Sequence, residues 1–476
     1  MLTPASVTAS NFGKVHFLAA DGKVDAMPLY LSSVTLGGQA RNVVFVATEH
    51  GSVYAFDADQ GTQLWKVSIL GSGETPSDDH GCYQISPEIG VTSTPVIDRK
   101  AGENGTIYIV SMSKDAGGHY HQRLHAMDVT TGGELLRGPT EISASYPTSG
   151  GMAVFDPGQY AERAALLLLN GIIYTAWTSH CDYSPYQGWI IGYDASTLKR
   201  SSVLNLTPNG SEGSIWMSGA GMAADASGNI YFLDANGTFD TTLDSNGFPS
   251  NNDFGNAFLK VSTSGILAVT DYFATFDTAQ QSQEDSDLGS GGALVLPDQT
   301  DSSGQKRQLV VGAGKDGNVY VLDRNNMGKF DTSKNNIYQQ LSNALGGGVF
   351  GAPAYFNGTL YYGAVGQTLK AFPVQLAVLA SSPLSQSSMK FTYPGTTPSV
   401  SANGASGGIV WAVENGASTV LHAFDVVDLS HELYNSNQAG MRDSFGAGNK
   451  FITPMIAGGK VFVGTPNGVA VFGLLK

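Results

Sequence analysis

The sequence predicts an all-β fold, an eight-bladed β-propeller of four-stranded antiparallel blades, and three observations carry that expectation. An apolar β-branched run, a turn and the phrase Tyr-Ala-Phe-Asp or a variant return along the whole chain. Short apolar runs are cut throughout by Gly, Asn and Asp, with 60 Gly in 476 residues. Nothing has the length and period of a long helix.

The phrase is clearest at Val53-Tyr54-Ala55-Phe56-Asp57, Leu124-His125-Ala126-Met127-Asp128 and Ile190-Ile191-Gly192-Tyr193-Asp194. Weaker copies end at Lys260, Asp323, Pro373, Asp425 and Gly473. From position 57 to position 473 there are seven intervals, a mean period of about 59 residues, which is the size of one propeller blade. A repeat from end to end predicts one domain over residues 1–476.

The first unit shows the strand order: 27–34, 43–48, 52–58 and 62–70, with His50-Gly51 as a hairpin signal and Asp59-Gln60-Gly61 as the turn into a fourth strand carrying Trp65. Further first strands open on Thr94-Pro95, Ala352-Pro353, Thr397-Pro398 and Thr453-Pro454, where Pro at the first residue costs no ladder bond. The last unit stops after three strands. Residues 12–19 precede the first blade and have none of their own, so they are expected to close the ring as the missing fourth strand. Seven blades is the alternative count.

The formal charge of −15 argues against a nucleic-acid partner, which needs clustered Lys and Arg. No run approaches the ~20 apolar residues of a membrane span. The N-terminus lacks the basic and apolar segments of a signal peptide, so the chain is either cytosolic or exported with its signal removed.

Loops between second and third strands, and those joining one blade to the next, emerge on one face, where propellers bind ligands. That rule gathers His50, His80, Glu88 and His119 as ligand-binding candidates, with Trp189 and Trp216 as aromatic surfaces for stacking. Acid–base candidates are His180, Asp182, Tyr186 and Asp287, with Lys315 and Arg442 available to stabilise an anion. Calcium candidates are Asp234, Asn236, Asp240, Glu284 and Asp285, because hard cations take clustered oxygens. His119 and His121, two apart, would suit zinc if further ligands converged. Cys82 and Cys181 fall on the same face; a disulfide between them, one of two open states, would imply an oxidising compartment.

Ala55-Phe56-Asp57 with Gly61 and Trp65 resembles the tryptophan-docking repeat of the pyrroloquinoline quinone (PQQ) propeller superfamily. With Asn42 to Thr48, Ser179-His180-Cys181-Asp182 and Asp287 to Gly292, the whole chain is similar to bacterial PQQ-binding-like β-propeller repeat proteins. The resemblance implies the propeller. It also implies PQQ and calcium as cofactors of an alcohol or sugar oxidoreductase, yet the chain has no adjacent Cys-Cys pair, no Cys-x-x-Cys-His haem site, and only one complete docking repeat.

Three functions are therefore expected in order: a secreted or periplasmic, monomeric propeller binding a small polar ligand, glycan or partner; a PQQ- and calcium-dependent oxidoreductase; and a lyase-like or hydrolytic enzyme. The sequence leaves open whether the protein is an enzyme.

Overall fold

The computed structural model describes residues 1–475. Among them the chain forms an eight-bladed β-propeller of small antiparallel sheets. By backbone contacts they fall into two compact units, 1–142 with 196–198 and 385–475, and 143–195 with 199–384.

The first unit holds four blades. Blade 1 is Leu29–Leu36, Gln39–Ala47, Ser52–Asp57 and Gln63–Ser68. Blade 2 is Val96–Asp98, Thr106–Lys114, Tyr120–Asp128 and Thr140–Glu141, widened by the short strands Thr75–Asp78 and Glu88–Ile89. Blade 7 is Ser399–Asn403, Ser406–Glu414, Val420–Asp425 and Glu432–Asn435. Blade 8 is Met455–Ala457, Lys460–Thr465 and Gly468–Leu474, completed by Phe12–Ala19, which runs antiparallel to the third strand from Phe12 opposite Leu474 to Ala19 opposite Gly468. The expected closure and the count of eight both hold.

The second unit holds blades 3 to 6. Their second and third strands are Ile172–Ser179 with Trp189–Asp194, Asn229–Leu233 with Phe258–Ser262, Leu309–Gly312 with Val319–Asp323, and Thr359–Tyr362 with Gln367–Gln375. One short α-helix, Thr278–Gln283, follows blade 4.

The unbroken apolar runs are explained by burial on both sheet faces. In blade 1, Val43, Phe45, Ala47, Val53 and Ala55 pack with Ile107, Ile109 and Met127 of blade 2. The alternate residues Val44, Val46, Tyr54 and Phe56 pack with Phe462, Val469 and Val471 of blade 8. A period of two thus sends successive apolar side chains to opposite neighbours, and no position is left for a polar face. Blade 4 repeats the device: Ile230 and Phe232 join the core shared with blade 3, Tyr231 and Leu233 that shared with blade 5.

The recurring Asp of the phrase closes the next turn. Asp57 Oδ1 accepts from the amides of Asp59 at 2.9 Å and Gln60 at 3.0 Å, and the Gly61 amide returns to the Asp57 carbonyl with φ +72°. Asp128 and Gly132 build the same turn in blade 2. Trp65 lies over that second turn: a Cβ on Gly132 would stand 2.9 Å from its indole, so only glycine admits the docking.

Candidate functional site

The densest convergence of expected residues lies in the second unit, at the loop ends of blades 4 and 5. Asp234 follows the second strand of blade 4, Asp285 and Asp287 follow the helix after blade 4, and Lys315 follows the second strand of blade 5. Residues up to 81 positions apart in sequence become neighbours because loops of one type leave the same end of adjacent sheets.

Lys315 is the centre. Its Nζ lies 2.6 Å from Asp287 Oδ1 and also meets Asp285 Oδ1. Burial alone would depress this ammonium; the two aspartates, Asp287 first, outweigh it and hold the Lys315 pKa above its ordinary value. Asp287 is buried, and its own pKa is raised by that burial against the opposing pull of Lys315. Asp285 is exposed, and its Oδ1 also accepts from Asn236 Nδ2 at 2.8 Å, while Asn236 Oδ1 has no hydrogen-bond partner.

Asp234, two residues before Asn236, is fully buried. Its Oδ1 accepts from the Ala257 amide at 2.5 Å and its Oδ2 has no partner. Burial, with the Asp287 charge added, pushes this carboxyl well above the usual carboxylate range. The floor is made by close backbone approach, since a Cβ on Gly289 would stand 2.5 Å from the Asp234 carbonyl carbon and one on Gly314 2.5 Å from the Asp287 oxygen. Asn256 braces it: the side chain donates to Thr278 O and Gln281 Oε1 at 3.2 Å each and accepts from the Leu288 amide at 2.8 Å. Sequence reading passed over Asn256; its position two residues before a strand carried the only signal.

The other expected residues lie in separate settings. Tyr186 donates to Asp182 Oδ1 at 2.8 Å, and its phenol is driven strongly upward by burial and then by that carboxylate. His180 is buried. Asp240 caps the amides of Thr242 and Asn251, and Glu284 accepts from Gln280 Nε2 at 2.8 Å, so these two serve their own loop and helix. Trp189 is fully buried and meets Phe155 edge-on, leaving no face for a ligand; Trp216 is half-buried and edge-on to Phe350. Arg442 is spent on Asp443 and on the carbonyls of Ala9 and Phe12, which fasten the N-terminal segment.

In the first unit His50 pairs with Glu88 at 3.0 Å and His119 with Asp115 at 3.0 Å. His80 shares a hydrogen bond with Ser77 and stacks near Tyr120; burial holds its pKa down. His121 Nε2 is 3.8 Å from both Glu74 and Asp115, but Glu74 is taken by Arg123, whose guanidinium pushes it down to about 2. Among the described residues no group of three His, Cys, Asp or Glu side chains is arranged to hold a metal ion. Cys82 and Cys181 are both disulfide-bonded.

No family model matches the chain, and no curated protein matches it. Solved structures do. The quinohemoprotein alcohol dehydrogenase of Comamonas testosteroni is similar over 100% of this chain and 78% of its own, at TM-score 0.62 and 14% identity. A quinohemoprotein alcohol dehydrogenase of Pseudomonas putida HK5 is similar over 100% and 77%, at TM-score 0.60 and 14% identity. The chain therefore shares the β-propeller fold of these quinohemoproteins. At this identity the likeness concerns the fold.

Proposed function

We propose that this protein binds a small hydroxylated ligand, a polyol or sugar, at the mouth formed by Lys315, Asp285 and Asn236. The observation that carries the reading is the Lys315 ammonium set between Asp285 and the buried Asp287, beside an Asn236 carbonyl oxygen with no partner. A hydroxyl both donates and accepts, so one hydroxyl can accept a hydrogen bond from the Lys315 ammonium while donating its own to Asn236 Oδ1 or Asp285. The ammonium is rigidly paired and the floor is closely packed, which limits the ordering cost of binding.

An alcohol or sugar oxidoreductase using PQQ and calcium is the second reading, favoured by the fold alone. The residues of this cluster do not fit that pair. Lys315 stands where a cation between Asp285 and Asp287 would stand, and a quinone carrying several carboxylates would meet two aspartates and one cation already engaged. A periplasmic or extracellular setting agrees with the disulfide.

Isothermal titration of the intact chain with a panel of polyols, aldoses and sugar acids tests the proposal, with Lys315→Met as control. Saturable heat lost in the variant supports it. No heat from any compound sinks it. A dye-linked assay after incubation with PQQ and calcium tests the second reading separately.

A further inference from the structure

The phrase His-Ala-x-Asp occurs twice, at His125 to Asp128 in blade 2 and at His422 to Asp425 in blade 7. Both histidines stand in third strands, Tyr120–Asp128 and Val420–Asp425, and both are buried. Each ring directs Nδ1 at a glutamate, Glu134 at 2.9 Å in blade 2 and Glu432 at 2.6 Å in blade 7. Against a carboxylate this nitrogen carries the proton, so Nε2 of a neutral ring presents a lone pair.

The two blades differ in what meets that lone pair. His125 is paired with Ile109 across the ladder and His422 with Ala412, so two residues further along the second strand come Ser111 and Glu414 respectively. Ser111 Oγ lies 3.0 Å from His125 Nε2, where a hydroxyl can donate. In blade 7 the same place is taken by a carboxylate, which when ionised has no hydrogen to give. Glu414 Oε2 lies 3.5 Å from His422 Nε2, and that nitrogen has no hydrogen-bond partner although His422 is only 4% exposed.

Two acceptors facing each other across such a gap call for a cation between them. A shared proton would draw the pair to about 2.8 Å. Two ligands on one tetrahedral zinc, each bonded at about 2.1 Å, stand about 3.4 Å apart, which is close to the separation found here. An imidazole nitrogen also favours zinc and its transition-metal neighbours over magnesium or calcium.

The surroundings hold the ring ready. Glu432, which takes the Nδ1 proton, is itself fixed by Asn435 Nδ2 at 2.9 Å, the carboxylate–histidine support common behind metal-bound imidazoles. Phe424 lies parallel to the ring at 5.9 Å between centres, and Phe391, at the end of the strand Ser385–Phe391, meets it edge-on at 5.7 Å. Glu414 keeps about a third of its side chain in solvent, which gives an ion its way in.

We propose that His422 Nε2 and Glu414 Oε2 are the two protein ligands of a zinc-class divalent ion, with water in the remaining positions and Glu432 as the positioning residue. The ion ties the second strand of blade 7 to the third. The proposal is independent of the mouth at Lys315.

Titration of the full chain, first stripped with chelator, with zinc chloride and separately with cobalt chloride tests it. One zinc per chain is expected, with cobalt giving the visible bands of tetrahedral coordination and excess magnesium or calcium displacing neither. His422→Gln and Glu414→Gln are each expected to weaken binding at least tenfold. Glu432→Gln should weaken it while leaving the shape of the cobalt bands unchanged, since it touches the ring and not the ion. Absence of zinc binding overturns the proposal, as does binding that survives in Glu414→Gln or is displaced by calcium. Should His422→Gln fail to fold, Glu414→Gln, altered at a side chain that reaches solvent, decides it.

Discussion

Trp65 Nε1 donates to the Val129 carbonyl at 3.2 Å, so the complete docking repeat of blade 1 is a joint to blade 2 and not part of a ligand site. The indole also packs against Phe45 at 5.9 Å between ring centres and covers the Gly132 turn. The feature that most resembles a quinoprotein is accordingly structural.

Trp65→Phe keeps the ring and removes the bond, and is expected to cost about 1 kcal/mol. Trp65→Ala is expected to cost about 3 kcal/mol by opening a cavity between the blades. Gly132→Ala meets both the indole and a φ of +69°, and should resemble the larger loss. Chemical denaturation of the three variants checks the order.

Lys315→Met removes the cation from beside a buried carboxylate. The loss is expected at about 2–3 kcal/mol, below that of a wholly buried pair because Lys315 retains contact with solvent. Asp287→Asn, which leaves no uncompensated charge, should cost less. Thermal unfolding at neutral pH separates the two, and the reverse order would mean that Asp287 is not paired as described.

The pH dependence of stability has two opposed contributions. Glu74 is depressed to about 2 by Arg123, so its contribution is present above the ordinary carboxylate value and is lost as pH falls from about 4.5 through 2. Glu49 is raised to about 8 by its burial, so its contribution is present below about 4.5 and is lost as pH rises through 8. Denaturation midpoints across pH 2 to 9.5 should therefore peak in mildly acidic solution. Glu74→Gln should flatten the acid limb by about 1–2 kcal/mol and leave the alkaline limb alone. A midpoint that climbs steadily to pH 9 would contradict the assignment of Glu49.

Both cysteines are oxidised, and the segment between Cys82 and Cys181 is about 100 residues long. A crosslink of that span is expected to stabilise by about 2–5 kcal/mol. Thiol titration of the denatured, unreduced chain should find none, and reduction should release two and lower the melting temperature. A chain that runs as a dimer without reductant and as a monomer with it would show that the bond is made between molecules.

The fold was largely legible because a propeller writes its period into the chain. The phrase ending at Asp57, Asp128 and Asp425 marks third strands and their turns, and the orphan strand at residues 12–19 pointed to its place in blade 8. The loops that carry the candidate residues were legible, and their pairings were not. Asp234, Asn236 and Asp285 were expected to hold calcium, Asp287 to do acid–base work and Lys315 to stabilise an anion; the structure pairs Lys315 with Asp285 and Asp287. Glu49, adjacent to the expected His50, escaped notice because nothing in its neighbours marks it as buried.

What the sequence determined by itself is the repeat, since strand period, turn residues and the length of each unit are local properties carried by nearby amino acids. Which carboxylates keep their protons, and which cation each of the others meets, was decided only by the tertiary structure. Those outcomes depend on burial and on groups brought within a few ångströms from distant segments, as Thr92 is brought to Glu49 and Lys315 to Asp287.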